Sequence, residues 1–162
     1  DPRPDTPGDD PLSIKVLELA ASLAALRDSK LHLVHAWWLH SEAMLRSRRF
    51  NMPPAEIDGL LREVRGAAEA SLDALVERVD LSQIEVESHI IKGQPYEVIS
   101  GLASQSDIAV MGTLSRTGID GLLIGNTAER ILRQVDCSVL AVKPEGFRTP
   151  LRFEDSLATA TD

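Results

Sequence analysis

The residues best suited to chemistry cluster between Asp107 and Arg130. Ile108 to Met111 is a short apolar run ended by Gly112, the pattern of a parallel strand covered on both faces. A loop rich in glycine and hydroxyl groups follows, with Thr113, Ser115 and Thr117 and the fixed charge of Arg116. Gly125 then permits close backbone approach, and Asn126 is placed to cap a helix beginning at Asn126 or Thr127. Glu129 is spaced to reach back in a capping-box arrangement. A strand, a loop and a helix start in this order present unpaired N–H groups and the positive end of a helix dipole, which suit phosphate. The same residues also make a well-capped βα connection with no ligand, and neither GxxxxGK[ST] nor GxGxxG is present. Both readings stand at this point.

Other residue types narrow the chemistry. No paired carboxylates, metal-spaced His/Cys set or nucleophile elbow lies near the loop, so no catalytic residue and no metal ligand is assigned. A nucleotidyl-transfer or hydrolase activity is the weaker third reading, since no residue stands out as its general base. His32 and His35 lie three apart, on opposite faces of a strand, and read as satisfied core or strand-end histidines. Cys137 is the single cysteine and precedes an apolar run, where it acts as a small hydrophobe.

The elements that position the loop alternate. Residues 1–11 hold four prolines and four aspartates and form an extended entry, with Pro11 in the first turn of a helix that Asp9 or Asp10 precedes. From Leu12 to Leu26 the apolar positions Ile14, Leu17, Leu19, Ala21, Leu23, Ala24 and Leu26 predict a wide apolar helix. Lys30 to Trp38 reads as a strand. Residues 40–54 lose periodicity and end in Pro53-Pro54, a long connection placed to lid a site. A helix follows from Ala55 to Arg78, then a half-exposed edge strand from Ile84 to Ile90. Gly93-Gln94-Pro95 turns the chain into a helix from Tyr96 to Gln105. The last helix, Asn126 to Gln134, buries Ala128, Ile131 and Leu132, and Cys137 to Val142 is the final strand. Such alternation predicts an α/β fold: an open parallel sheet with helices on both faces and right-handed crossovers. Ligands in these folds bind at the carboxyl ends of strands, where the glycine loop lies.

The chain has 162 residues, enough for one domain with a sizeable core. A formal net charge of -8 argues against a broad nucleic-acid or anionic-membrane surface. Arg46, Arg48 and Arg49, the only local basic cluster, read as a solvated loop. No apolar run approaches the roughly 20 residues of a membrane span, and cysteine usage suits a cytoplasmic setting.

Three runs carry a family resemblance: Met111-Gly112-Thr113-Leu114-Ser115-Arg116-Thr117-Gly118, Gly125-Asn126-Thr127-Ala128-Glu129, and Cys137-Ser138-Val139-Leu140-Ala141-Val142-Lys143-Pro144. They resemble the C-terminal signature of the universal stress protein family, in particular the second domain of its E-type tandem members. The resemblance implies a Rossmann-like sheet of strand order 3-2-1-4-5, spanning residues 1–146, followed by an acidic tail over 147–162. It implies that the chain begins just after the first, central strand, at the aspartate matched by Asp1, and that the isolated chain is poorly stable or rearranged. It also implies a homodimer, or pairing with a second tandem domain, through the last strand, and a role in stress response in the cytoplasm.

Nucleotide-binding members of the family carry glycine, two residues, glycine, nine residues, then glycine followed by serine or threonine. The matching positions here are Gly112, Ser115, Gly125 and Asn126. Ser115 brings a Cβ toward the phosphate position, and Asn126 presents an amide instead of a hydroxyl. If ATP or AMP binds with magnesium, the resemblance assigns phosphate to the backbone of Gly112, Gly125, Asn126 and Thr127, with Arg116 as an added charge. Asp1 would face the ribose or base, and Ala36 would line the adenine pocket. The alternative is a dimerising scaffold of the same fold without nucleotide.

Overall fold

The computed structural model describes residues 10–113 and 125–147. Helix α1 (Pro11–Arg27) starts where the Asp10 carboxylate accepts from the N–H groups of Leu12 and Ser13, with Pro11 in the first turn where its missing N–H costs nothing. It ends at Asp28, whose left-handed backbone (φ 50°) returns its N–H to Ala24. Strand β1 (Leu31–Trp37) follows, then a one-turn helix α2 (Glu42–Leu45) and the long helix α3 (Pro54–Val76). Strand β2 (Val86–Lys92), helix α4 (Pro95–Ala103), strand β3 (Ile108–Gly112), helix α5 (Asn126–Leu132) and strand β4 (Ser138–Val142) complete the described order.

All strand pairing is parallel, β1 with β2 and β3 with β4. Against the expected order 3-2-1-4-5, these are the two flanks, 3-2 and 4-5, and no hydrogen-bonded ladder joins β1 to β3 among the described residues. On β1·β2 the register opposes Leu31 to Val86 and Leu33 to Ser88. Leu17 of α1, Leu33 and Leu72 of α3 form the core, and Leu31, Leu75, Val76, Val86 and Ile90 pack around it. The other face of this pair carries His32, Glu87 and His89.

Helix α1 touches β1, β3 and β4, so it bridges the two pairs. Leu17 enters the β1·β2 core while Leu12 lies on Gly112. A Cβ built on Gly112 would stand 2.9 Å from Leu12 Cδ2 and 3.2 Å from its Cγ, closer than carbon atoms pack.

Several expectations need correction. The connection after β1 is not wholly irregular, since α2 forms within it. Strand β2 begins at Val86, two residues after Ile84, whose N–H instead closes a turn onto the Leu81 carbonyl. Strand β3 is not covered on both faces: only Thr113, just past it, is buried, and Ile108 is 43% exposed. Leu26 sits in the last turn of α1 and is 80% exposed, and Leu132, at the end of α5, is also exposed.

The Leu12–Gly112 contact predicts that Gly112→Ala destabilises the fold by about 1–3 kcal/mol through overpacking. Urea denaturation should show this, with a smaller loss when the substitution is made in a Leu12→Ala background. Equal losses in both backgrounds would remove Leu12 as the reason for glycine.

Candidate functional site

Strand β3 ends at Gly112, and the next residue, Thr113, is 3% exposed. Both its N–H and its hydroxyl donate to the Val142 carbonyl, at 3.1 and 3.2 Å. The Thr113 carbonyl accepts from the Gly125 N–H at 3.2 Å. The two ends of the 114–124 segment are therefore tied together, and α5 starts against the carboxyl end of β3. The first intrahelical bond of α5 runs from the Glu129 N–H to the Gly125 carbonyl at 2.9 Å. The N–H groups of Asn126, Thr127 and Ala128 precede it and need partners from outside the helix.

This geometry alters several sequence-based roles. The residue in the cap position is Gly125, with extended backbone and no side-chain cap, and Asn126 is already the first helical residue. Starting one residue early puts Glu129 out of capping-box register, and its carboxylate instead meets Arg133 at 2.7 Å. The Gly125 N–H, assigned to phosphate, is held by Thr113. So is the Thr113 hydroxyl, by Val142. Gly112 lies where assigned, but its missing side chain is accounted for by Leu12.

Ala36 lies near the carboxyl end of β1, opposite Ile91, in the other strand pair. Thr127 is exposed in the first turn of α5. Asp1, Ser115, Arg116 and the side chain of Asn126 fall outside the described residues.

Side chains with no functional role in the sequence reading gather at these strand ends, among them Arg46, which is paired and not merely solvated. Trp37, the last residue of β1, has a buried Nε1 with no hydrogen-bond partner among the described residues. Lys92, which ends β2, stands 5.9 Å from the centre of the Trp37 ring and 2.6 Å from Glu42 Oε2. Arg46 holds the other carboxylate oxygen of Glu42 at 3.0 Å, so α2 is fastened to the end of β2. Hydrogen bonds from Lys92 first and Arg46 second hold the Glu42 carboxyl below its ordinary 4.5. Arg130 of α5 stacks over the Tyr96 ring of α4 at 3.6 Å, and Ser100 meets Gln134 at 3.3 Å. Arg46 lies one helical turn from Glu42, but Lys92 with Glu42, Arg130 with Tyr96 and Ser100 with Gln134 are far apart in sequence, and no spacing rule would have found them.

Residues 8–143 match the sequence profile of the universal stress protein family. The chain belongs to that family. Universal stress protein E of Escherichia coli K12 is similar, with 37% identity over 94 residues. The match covers 57% of this chain and 29% of that relative, so the chain spans well under half of the relative's length. The solved universal stress protein UspA from Lactobacillus plantarum superimposes with a TM-score of 0.64 at 17% identity, covering 83% of this chain and 91% of the other. A universal stress protein solved in complex with cAMP superimposes with a TM-score of 0.50 at 23% identity, covering 85% and 91%. These likenesses establish the universal stress protein fold. Among the described residues of this universal stress protein domain, no helix is long and apolar enough to cross a membrane.

The Glu42 pairing predicts an acid-dependent anchor for α2. A depressed carboxyl pKa contributes stability that is complete above the ordinary value of 4.5 and is lost as pH falls through the lowered one. Lys92→Met should therefore lower the melting temperature at neutral pH, with the gap from the wild type closing as pH falls below the ordinary carboxylate value and through the lowered one. A gap that persists at the acid end would assign the effect to Lys92 packing on Trp37 instead.

Proposed function

We propose that this universal stress protein domain acts in stress response by binding an adenine nucleotide at the carboxyl end of β3. The observation that carries this reading is the Gly125–Thr113 bond, which sets the start of α5 beside the strand end. There the N–H groups of Asn126 and Thr127, which have no partner outside the helix among the described residues, would meet a phosphate, favoured by the helix dipole. A similar fold has been solved with cAMP, which supports a nucleotide as the ligand class. Arg116 would add positive charge and magnesium, if it accompanies the nucleotide, would offset phosphate charge, while Ala36 would line the base pocket and Asp1 would meet the ribose or base. The task is binding, and no residue is assigned to catalysis.

A second reading has its own observation. The Gly125 N–H and the Thr113 hydroxyl are both consumed within the protein, and Gly112 is explained by Leu12. A cytoplasmic scaffold that dimerises through the edge of β4 that bears no strand among the described residues, or pairs there with a tandem domain, needs the loop for its turn alone.

Mass spectrometry of the supernatant from heat-denatured protein separates the two. Stoichiometric AMP, ADP or ATP is expected from the binding domain. No nucleotide, together with no calorimetric signal on ATP titration, would leave the scaffold. Ser115→Gly should strengthen ATP binding by about tenfold, the equivalent of about 1–2 kcal/mol of left-handed backbone cost for a non-glycine residue. No gain would sink the role given to Ser115.

A further inference from the structure

The exposed face of the β1·β2 pair holds a group of side chains that the nucleotide reading does not use. The parallel register places His32 opposite Glu87, and His89, two residues further along β2, projects from the same face. His32 Nδ1 and His89 Nε2 are 3.0 Å apart, and their rings stack with centroids 5.2 Å apart at 26°. Glu87 supplies one oxygen 3.8 Å from His32 Nδ1 and the other 3.8 Å from His89 Nε2. A nitrogen–nitrogen contact this short, with a carboxylate beside both rings, is a donor set of two imidazoles and one carboxylate. Among the described residues it is the one group of three such side chains whose ligand atoms come within 4.8 Å of one another.

We propose that His32, Glu87 and His89 bind a single divalent transition-metal ion, of which zinc best fits the donors. Zinc takes imidazole nitrogen and carboxylate oxygen at about 2.0–2.2 Å in tetrahedral geometry, which sets neighbouring donors roughly 3.3–3.6 Å apart. The two nitrogens stand 3.0 Å apart and each Glu87 oxygen lies 3.8 Å from a different one of them, so a single ligating oxygen has to turn toward both; one donor atom from each of the three residues already lies within 4.8 Å of the others. The side chains of His32 and Glu87 are 39% and 50% exposed, which opens the fourth position to water, while His89 is held more firmly at 20%. Both ligand strands belong to a ladder paired over its full length, so the frame is rigid. Lys30 is the competing cation: its Nζ lies 3.4 Å from Glu87 Oε2 but only 2.7 Å from Glu85 Oε1. It can remain with Glu85 while Glu87 turns to the metal. The bound ion would clip β1 to β2 on the face opposite the Leu17–Leu33–Leu72 core.

Calorimetric titration of the tag-free, chelator-treated protein with zinc chloride at neutral pH tests the site. One ion per chain is expected. His32→Ala, His89→Ala and Glu87→Gln should each weaken binding at least as much as the roughly 10–100-fold seen when a mere outer-shell partner is removed. His40→Ala should leave affinity unchanged, since His40 pairs instead with Trp38 beyond the end of β1. Lys30→Met should tighten binding. Circular dichroism keeps loss of folding apart from loss of the site, because the three ligands lie outside the core. Absence of zinc binding, or unchanged affinity in any one of the three ligand variants, would overturn the proposal.

Discussion

The position of the two strand pairs relative to each other rests on the apolar side of α1. Sheets normally share hydrogen bonds from strand to strand, and here β1·β2 and β3·β4 are separate ladders. Leu17 at 2% exposure is locked into one pair, and Leu12 lies directly on Gly112 in the other. Burying a leucine stabilises by about 1.5–3 kcal/mol, so a few α1 residues hold the candidate site in register with the rest of the core. The Asp10 cap and the left-handed Asp28 matter for the same reason, since they fix where α1 starts and stops.

From that bridge the strand ends can be understood as a layered arrangement. Thr113 joins Val142 to Gly125, which places α5. Arg130 over Tyr96 then couples α5 to α4. Helix α4 is seated against β1, with Val98 so close to Gly93 that an added Cβ would come to 2.9 Å. Lys92, Glu42 and Arg46 fasten the short α2 beside Trp37. Polar contacts thus set the details of a surface whose placement is decided by apolar packing.

Much of this was legible in the residues. The stripes of α1 and α3 repeat at helical spacing over several turns, and the apolar runs of β1, β3 and β4 stand between clear breakers, so element order and parallel pairing followed. Helix α2 escaped because four residues carry no period. The alternation through Ile84 and Glu85 sets the start of β2 two residues early, although a turn claims Ile84 and Glu85 gives only its carbonyl to the ladder. At the site, the glycines were visible but their tasks were not. Whether Gly112 serves a ligand or a neighbour depends on Leu12, and whether the Gly125 N–H is free depends on Thr113. His32 was correctly separated from His35, yet its real neighbour, His89, is brought to it only by the strand register.

The one-sided pairing of β1 and β3 makes each strand chemically striped. Leu31 donates to Glu85 and Trp37 accepts from Gly93, so the odd-numbered residues of β1 face β2. In β3 the bonds of Asp107 and Thr113 turn the odd-numbered residues toward β4. The main-chain groups of the intervening residues, Ala36 and Gly112 among them, point to the opposite edges. Amide hydrogens should then exchange with solvent in alternation along a single strand, slow and fast in turn, wherever no further backbone covers those edges. Ala36 and Gly112, drawn together at first only by a family pattern, share this property: each offers its peptide group to whatever occupies the space between the pairs.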